Sequence, residues 1–305
     1  MSARTKALAA AFLAATLVLA GCQAVKQGAA DVLASTGKIS QEDAESLVKT
    51  AETLRSTFAD ITEEEEYYIG RSTAALILSK YRPYRNDALS AYVNAMGTAI
   101  AYGSDRPETF GGYHFAVLDT DEVNAMAAPG GFVFVTKGLL KRCADEETLA
   151  AILAHEIGHV VERHGLQSIK KSRLIDAFKV IGGEASRQLN SEELAKVTAA
   201  FEGVLGDVVE TLVERGYDRK FEYEADKLAL SYAVRTGYAP GGLADFLKGM
   251  EENKPAGVAA GWFKTHPSAA DRLARVKTGI AGLGAVPVKY AARTARFASA
   301  VKSVR

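Results

Sequence analysis

The chain has 305 residues, with 37 Lys plus Arg against 37 Asp plus Glu and a formal net charge of zero. Hydrophobic residues make up 48% and charged residues 24%, which is ordinary for a globular protein and excludes a disordered, collagen-like or polytopic membrane protein. Since the chain lacks a strong positive charge, we do not expect it to bind nucleic acid. Two cysteines are too few for a disulfide scaffold or a cysteine-based zinc cluster.

The N-terminus has the pattern of a secretory signal. Two basic residues precede an uncharged stretch over residues 7–25, which contains the box Leu19-Ala-Gly-Cys22. The box resembles a bacterial lipobox, in which the cysteine is acylated; a plain cleaved signal or an uncleaved anchor helix is the alternative. We expect a lipoprotein signal peptide over residues 1–21 and attachment to a membrane through lipidated Cys22. Gln23, in place of an inner-membrane retention aspartate, favours the outer membrane.

The rest of the chain is expected to form a lipidated tether over residues 22–39, one domain over 40–280 and a C-terminal tail over 281–305. Apolar periodicity predicts helices at about residues 40–58, 62–81, 87–102, 149 onward, 221–236, 243–251 and 268–280. Short strands are predicted at residues 113–118, 123–128 and 132–136, with a Pro-Gly-Gly turn between the last two. The fold class is therefore α+β and mainly helical, with a small β-sheet or hairpin.

Two charged segments are interpreted as structural. The acidic run Glu63–Glu66 is expected to favour the positive end of a helix dipole rather than to bind a partner. The basic residues of the tail are expected to lie on a solvated helix face rather than on anionic lipid, because they are spread along the chain. Those tail residues are Lys289, Arg293, Arg296, Lys302 and Arg305.

Residues 155–159 read His-Glu-Ile-Gly-His and carry the strongest chemical signal in the chain. On a helix, His155 and His159 share one face and can bind one Zn²⁺ from the same side. Glu156 lies beside them and can accept a proton from water activated there. The alternative is a pair of core or surface histidines without a metal.

A catalytic zinc needs a third protein ligand. A metzincin would have a histidine at position 165, where this chain has glycine, and His164 is expected to be a surface or capping residue. A gluzincin instead takes a glutamate from a later helix. Glu222 and Asp226 share a helix face, so Glu222 can ligate the metal while Asp226 accepts a hydrogen bond from a ligand histidine. Glu224 is rotated away from that face; the alternative for Glu222 is a solvated helix charge.

Five motifs, in order, resemble the HtpX-like, CAAX-prenyl-protease-type family of zinc metalloendopeptidases, which has Oma-type and BepA-like members. The resemblance extends over residues 64–275. The matching segments are Ile69–Arg71, Asn124–Leu140, Glu147–His159, Glu222–Asp226 and Thr265–Arg272.

This resemblance implies a gluzincin-type domain with a small hairpin beside the zinc helix, one Zn²⁺ per chain held by the two histidines and Glu222, and Glu156 as general base. It also implies that a hairpin containing Asn124, Gly130 and Gly131 offers an edge strand to an extended substrate. Such main-chain pairing gives affinity with little sequence preference, and the glycines permit a tight turn.

The family pattern implies two further roles. His266 is a possible fourth, gating ligand of the zinc, and Arg272 is a candidate to stabilise the oxyanion. The alternative for His266 is that it merely starts the final helix.

These observations predict a membrane-anchored, zinc-dependent endopeptidase that hydrolyses envelope or misfolded proteins in the bacterial cell envelope. It would face the periplasm and act on extended protein substrates. An envelope assembly machinery is a possible partner. Two alternatives stay open: a chaperone-like outer-membrane assembly factor with a latched protease site, and a structural lipoprotein whose metal stabilises the fold. Residues 165–217 are too charged to span a bilayer and are a possible lid.

Overall fold

In a computed structural model of the chain, residues 61–169, 191–253, 261–266 and 269–304 are described. The predicted signal peptide, Cys22, the tether and the helix predicted at 40–58 lie outside these residues, and so does part of the possible lid. Among the described helices, none combines the length and apolar character that crossing a bilayer requires.

Helices dominate the described residues, as the sequence predicts. Helices α1 to α11 are, in chain order, Glu63–Lys80, Asp87–Tyr102, Lys137–Arg142, Glu146–Val161, His164–Gln167, Ser191–Val209, Arg219–Arg235, Gly241–Glu252, Trp262–Thr265, Ala269–Ala281 and Ala291–Ala300. A π-helical segment, Glu210–Arg215, continues α6. A capping box begins α1, because Thr62 and Glu65 each accept a hydrogen bond from the other's backbone N–H.

The sheet has three strands in the order β1-β3-β2. Strand β1 (His114–Leu118) runs parallel to β3 (Phe132–Thr136), and β2 (Ala125–Ala128) pairs antiparallel with β3. Within this sheet β2 is an edge strand. The fold-class prediction is confirmed: the chain is mainly helical, with a small sheet against the helix that carries the two histidines.

The turn between β2 and β3 requires glycine at Gly130. Its φ is 73°, a left-handed conformation that side chains rarely adopt, and a Cβ there would lie 2.9 Å from the Cα of Tyr67. Gly70 on α1 is equally constrained, because a Cβ there would lie 1.8 Å from the carbonyl oxygen of Pro129. Helix α1 therefore packs directly on the turn.

Helix α4 lies at the centre of the core. Every residue from Glu146 to Val160 is buried, and α4 packs against α2, α7, α8 and the sheet. The apolar side chains around it form one cluster that includes Leu149, Ile152, Leu153 and Ile157. The histidine motif is thus carried by the most buried helix described, which restricts its movement.

The predicted place of the acidic run in the first turn of α1 is confirmed, and Glu66 has a further role inside the domain. Its side chain is buried and pairs with the guanidinium groups of Arg106 (3.0 Å) and Arg163 (2.8 Å). It also accepts a hydrogen bond from the backbone N–H of Gly130 at 3.1 Å. A buried carboxylate needs such partners, and this one joins α1, the turn and the end of α4.

Lys289, Arg296 and Lys302 of the basic tail are exposed, as predicted, but the tail also contacts the domain. Helix α11 buries Phe297, and three tail cations pair with three consecutive acidic residues at the start of α4. The pairs are Lys289 with Asp145 at 2.7 Å, Arg296 with Glu146, and Arg293 with Glu147 at 3.5 Å. The tail is therefore packed on the domain.

Candidate metal centre

Two histidines of α4, one glutamate of α7 and one histidine after α9 come together in the core. One potential ligand atom from each of His155, His159, Glu222 and His266 lies within 4.8 Å of every other, and all four side chains are buried. The i, i+4 spacing on α4 places the first two on the same face. Helix α7 packs against that face and supplies Glu222.

The distances suit a zinc ion held by three of these residues. The Nε2 atoms of His155 and His159 are 3.1 Å apart, and they lie 3.7 Å and 3.6 Å from the carboxylate oxygens of Glu222. Tetrahedral bonds of about 2.0–2.2 Å separate ligand atoms by roughly 3.3–3.6 Å. Two imidazoles and one carboxylate are also the donor set of a catalytic rather than a structural zinc site.

His266 lies between the glutamate ligand and the predicted base. Its Nδ1 is 3.1 Å from both oxygens of Glu222, and its Nε2 is 3.8 Å from Oε1 of Glu156. Its ring stacks on Trp262 at a centroid distance of 4.0 Å. His266 directly follows α9 and lies three residues before α10. It is therefore close to a helix start, as the alternative interpretation expects, and it also lies beside the candidate metal ligands.

Glu156 is buried without a hydrogen-bond partner for either carboxylate oxygen among the described residues. Burial raises the pKa of this carboxyl, and the nearby charges of His266 and His155 oppose that shift. An unpaired buried carboxylate is costly unless something else binds there. The unpaired carboxylate of Glu156 beside the potential ligands therefore fits a site that binds a metal ion and a water molecule.

Asp226 and Arg272 lie directly behind the ligands. Asp226 Oδ1 is 3.0 Å from Nδ1 of His155, the contact expected from the sequence. Arg272 is fully buried; its guanidinium pairs with both oxygens of Asp226, at 2.8 and 2.7 Å, and its Nη1 lies 2.7 Å from Glu222. Burial alone would raise the pKa of Asp226, but Arg272 and His155 together outweigh burial and lower it. The oxyanion role of Arg272 stays a prediction.

The sequence interpretation missed His164. It is buried rather than on the surface, and its Nδ1 lies 2.9 Å from Nδ1 of the ligand His159. Its other nitrogen, Nε2, lies 3.2 Å from a carboxylate oxygen of Glu224. The i, i+5 spacing of the two histidines is not a helical one, so no periodicity could have indicated the contact.

The predicted substrate strand is covered. All four residues of β2 are buried, and Asn124 just before it is tied to Thr265 by a hydrogen bond of 3.1 Å. Part of the cover is the π-helical segment Glu210–Arg215 and Tyr217, whose hydroxyl lies 3.5 Å from the carbonyl oxygen of Ala127. A cavity of about 10 Å³ beside Glu156 is lined by this cover and by β2. That volume is roughly the room one water needs.

Comparison with known proteins adds an independent finding. Residues 87–280 match the model of peptidase family M48. The chain is 27% identical over 194 residues to the β-barrel assembly-enhancing protease of Escherichia coli, covering 63% of this chain but 39% of that protein. It is 31% identical over 155 residues to the mitochondrial metalloendopeptidase OMA1 of Schizosaccharomyces pombe (50% of this chain, 42% of that protein). Metalloprotease LoiP of Escherichia coli is 27% identical over 192 residues, 62% of this chain and 68% of that protein.

Proposed function

Because the chain belongs to peptidase family M48, we propose that it cleaves extended segments of misfolded or unassembled proteins at the bacterial cell envelope. The family match confirms the enzyme class and the metal predicted from the sequence, a zinc metalloendopeptidase. The observation that carries the proposal is the buried, unpartnered carboxylate of Glu156 beside the ligand atoms of His155, His159 and Glu222.

Peptide hydrolysis at this site would need a bound zinc ion and a general base, and Glu156 is the base. Bound zinc would supply a Lewis acid that polarises the scissile carbonyl and makes water more acidic. Glu156 accepts the proton of the attacking water at a carboxylate oxygen and passes it to the nitrogen of the leaving amine. Burial suits this task, since it raises the pKa of Glu156 towards the range in which one group can both accept and donate a proton.

The position of β2 supports the proposal that the substrate binds as an extended strand. Strand β2 is the edge strand next to the candidate centre, so a substrate strand could pair with its outer backbone groups in place of Tyr217 and His266. Gly130 and Gly131 form the turn that ends β2, and they let Tyr67 and Gly112 pack closely against it. The cover over β2 has to move before such pairing occurs.

The envelope location rests on two supports of different kinds. The lipobox ending at Cys22 favours a lipid anchor on a membrane, and Gln23 favours the outer one. One similar protein is named for enhancing β-barrel assembly. We therefore propose a periplasm-facing lipoprotein, anchored through Cys22, whose substrates and partners include components of an envelope assembly machinery.

The test compares the purified full-length chain with its Glu156→Gln variant on an unfolded protein substrate. The wild type should cleave it, and the variant should not, while both bind zinc and unfold at the same temperature. Glu162→Gln, an exposed carboxylate just after α4, is the matched control and should cleave like the wild type. Cleavage by the Glu156→Gln variant at the wild-type rate would overturn the proposal.

A second candidate function is favoured by the cover over the centre. The burial of β2 and the contact of His266 with Glu222 both favour a latched centre, which a chaperone-like assembly factor that rarely cleaves would have. A strain carrying the Glu156→Gln variant distinguishes the two functions. Normal outer-membrane assembly in that strain would favour the chaperone-like role; defective assembly would favour proteolysis.

A further inference from the structure

His164 and Glu224 extend the candidate centre away from the metal ligands. The ring of His164 packs between the ligand His159, at a centroid distance of 4.9 Å, and Phe221, at 4.3 Å. Its Nδ1 faces Nδ1 of His159 at 2.9 Å, and its Nε2 faces Glu224 at 3.2 Å. The side chain of Glu224 is 55% exposed, so this row of groups runs from the buried ligand to solvent.

Only one arrangement of protons satisfies all of these contacts when the metal is bound. His159 directs Nε2 towards the other ligands, so its neutral ring carries the proton on Nδ1. That N–H donates to Nδ1 of His164, which must then carry its own proton on Nε2. The second N–H donates to the carboxylate of Glu224.

The backbone around His164 is built to hold it there. Arg163, the preceding residue, has φ 55° and ψ 32°, a left-handed conformation that is uncommon for a residue other than glycine. Its side chain is anchored by Glu66, with Nε donating to Oε2 at 2.9 Å. This strained turn ends α4 and rotates the chain so that His164 lies against His159.

We infer that His164 and Glu224 are positioning residues of the metal centre, which fix the tautomer and orientation of the ligand His159 through a chain of two hydrogen bonds. Groups that accept the second N–H of a ligand histidine commonly contribute 10- to 100-fold to metal affinity. Asp226 does this for His155, so each histidine ligand has an acceptor of its own. The inference rests on the proposed zinc site.

Zinc affinity is the first readout, measured on the full-length chain by competition with a chromophoric chelator and therefore independent of cleavage. His164→Leu should bind zinc about 10- to 100-fold more weakly. His164→Asn keeps an acceptor near Nδ1 and should retain most of the affinity. Glu224→Ala should lose about tenfold, and Glu224→Gln, which keeps an acceptor oxygen, should lose less. Glu162→Ala, a nearby carboxylate that the relay does not use, should match the wild type.

The second readout needs no variant. The chain has five histidines, so ¹⁵N-histidine NMR of the zinc-loaded protein can assign each ring. His164 should carry its proton on Nε2, and His159 on Nδ1. A proton on Nδ1 of His164, or unchanged zinc affinity in a folded Glu224→Ala and His164→Leu pair, would overturn the inference. If the wild type binds no zinc, the proposed function fails instead.

Discussion

Arg272 and Asp226 form a two-bonded ion pair in the interior, with Nε donating to Oδ2 at 2.8 Å and Nη2 to Oδ1 at 2.7 Å. Both residues are buried, with exposed fractions of 0% for Arg272 and 3% for Asp226. The same guanidinium also contacts the ligand Glu222, and Asp226 contacts the ligand His155. One cation therefore holds two carboxylates, and through them it orients two of the three predicted zinc ligands.

Replacing Arg272 should destabilise the protein and weaken zinc binding together. Arg272→Met leaves two buried carboxylates without their cation, and breaking a buried pair in this way costs about 3–5 kcal/mol. Thermal unfolding and zinc content measure the two effects. Lys277→Met, at an exposed lysine of the same helix, is the control and should change neither.

Arg272→Lys separates positioning from oxyanion stabilisation. Lysine keeps the charge but cannot reproduce the planar, two-bonded contact with Asp226. If Arg272 positions the ligands, zinc affinity falls in this variant. If it acts on the oxyanion, zinc affinity is unchanged and kcat alone falls.

The gating role of His266 predicts a gain of activity. In the described conformation its ring lies against both Glu222 and Glu156, where a substrate carbonyl would have to enter. His266→Ala should therefore raise the rate of cleavage of an unfolded protein. His114→Ala, at an exposed histidine of β1, controls for loss of an imidazole elsewhere. Unchanged or lost activity in His266→Ala contradicts gating.

Removing the metal should abolish activity but leave the fold. The ligands lie on α4 and α7, which are held by a large apolar core as well as by the metal. Binding of zinc at a thousandfold excess over Kd adds about 4 kcal/mol, so chelation should lower Tm without changing the helical circular dichroism at 25 °C. Loss of the helical signal on chelation would instead support a structural metal.

The parts of the site that could be predicted from sequence are those governed by helical periodicity. His155 and His159 are four residues apart on α4, and Glu222 and Asp226 are four apart on α7, so each pair had to share a face. Helices α4 and α7 pack with these two faces against each other, and this packing brings the three predicted zinc ligands together. The short strands and the Pro-Gly-Gly turn were predictable for a similar reason, since their signals are local.

The contacts that could not be predicted depend on long-range pairing or on unusual backbone conformation. His164 reaches His159 because Arg163 is left-handed, and Arg163 is held by Glu66, 97 residues away in the sequence. Lys289 reaches Asp145 across 144 residues. Such ion pairs leave no periodic signal, so the sequence does not indicate the partners of Glu66 or of the basic tail.

The pairing of Asp145 with Lys289 predicts a defined pH dependence of stability. Burial raises the pKa of Asp145, but hydrogen bonds from Lys289 and Thr148 outweigh burial and hold it below the ordinary 3.8. A carboxyl with a lowered folded pKa contributes stability above its unfolded pKa, and that contribution is lost as the pH falls through the folded pKa. The pKa of Lys289 is raised, so its contribution is lost only at strongly alkaline pH.

Asp145→Asn should therefore lower the free energy of unfolding by about 1 kcal/mol at pH 5–9, allowing for the partial exposure of Lys289. The deficit should shrink as the pH falls below about 4, where the unfolded wild-type carboxyl begins to take up its proton, and should disappear below the lowered folded pKa. Urea unfolding at pH 3, 5, 7 and 9 measures this. Asp145→Ala should cost about 1 kcal/mol more at every pH, because Asp145 also caps α4 and asparagine preserves that cap. A deficit for Asp145→Asn that is equal at pH 3 and pH 7 would show that the charge of Asp145 does not stabilise the fold, and that the tail is held by Phe297 and its apolar neighbours alone.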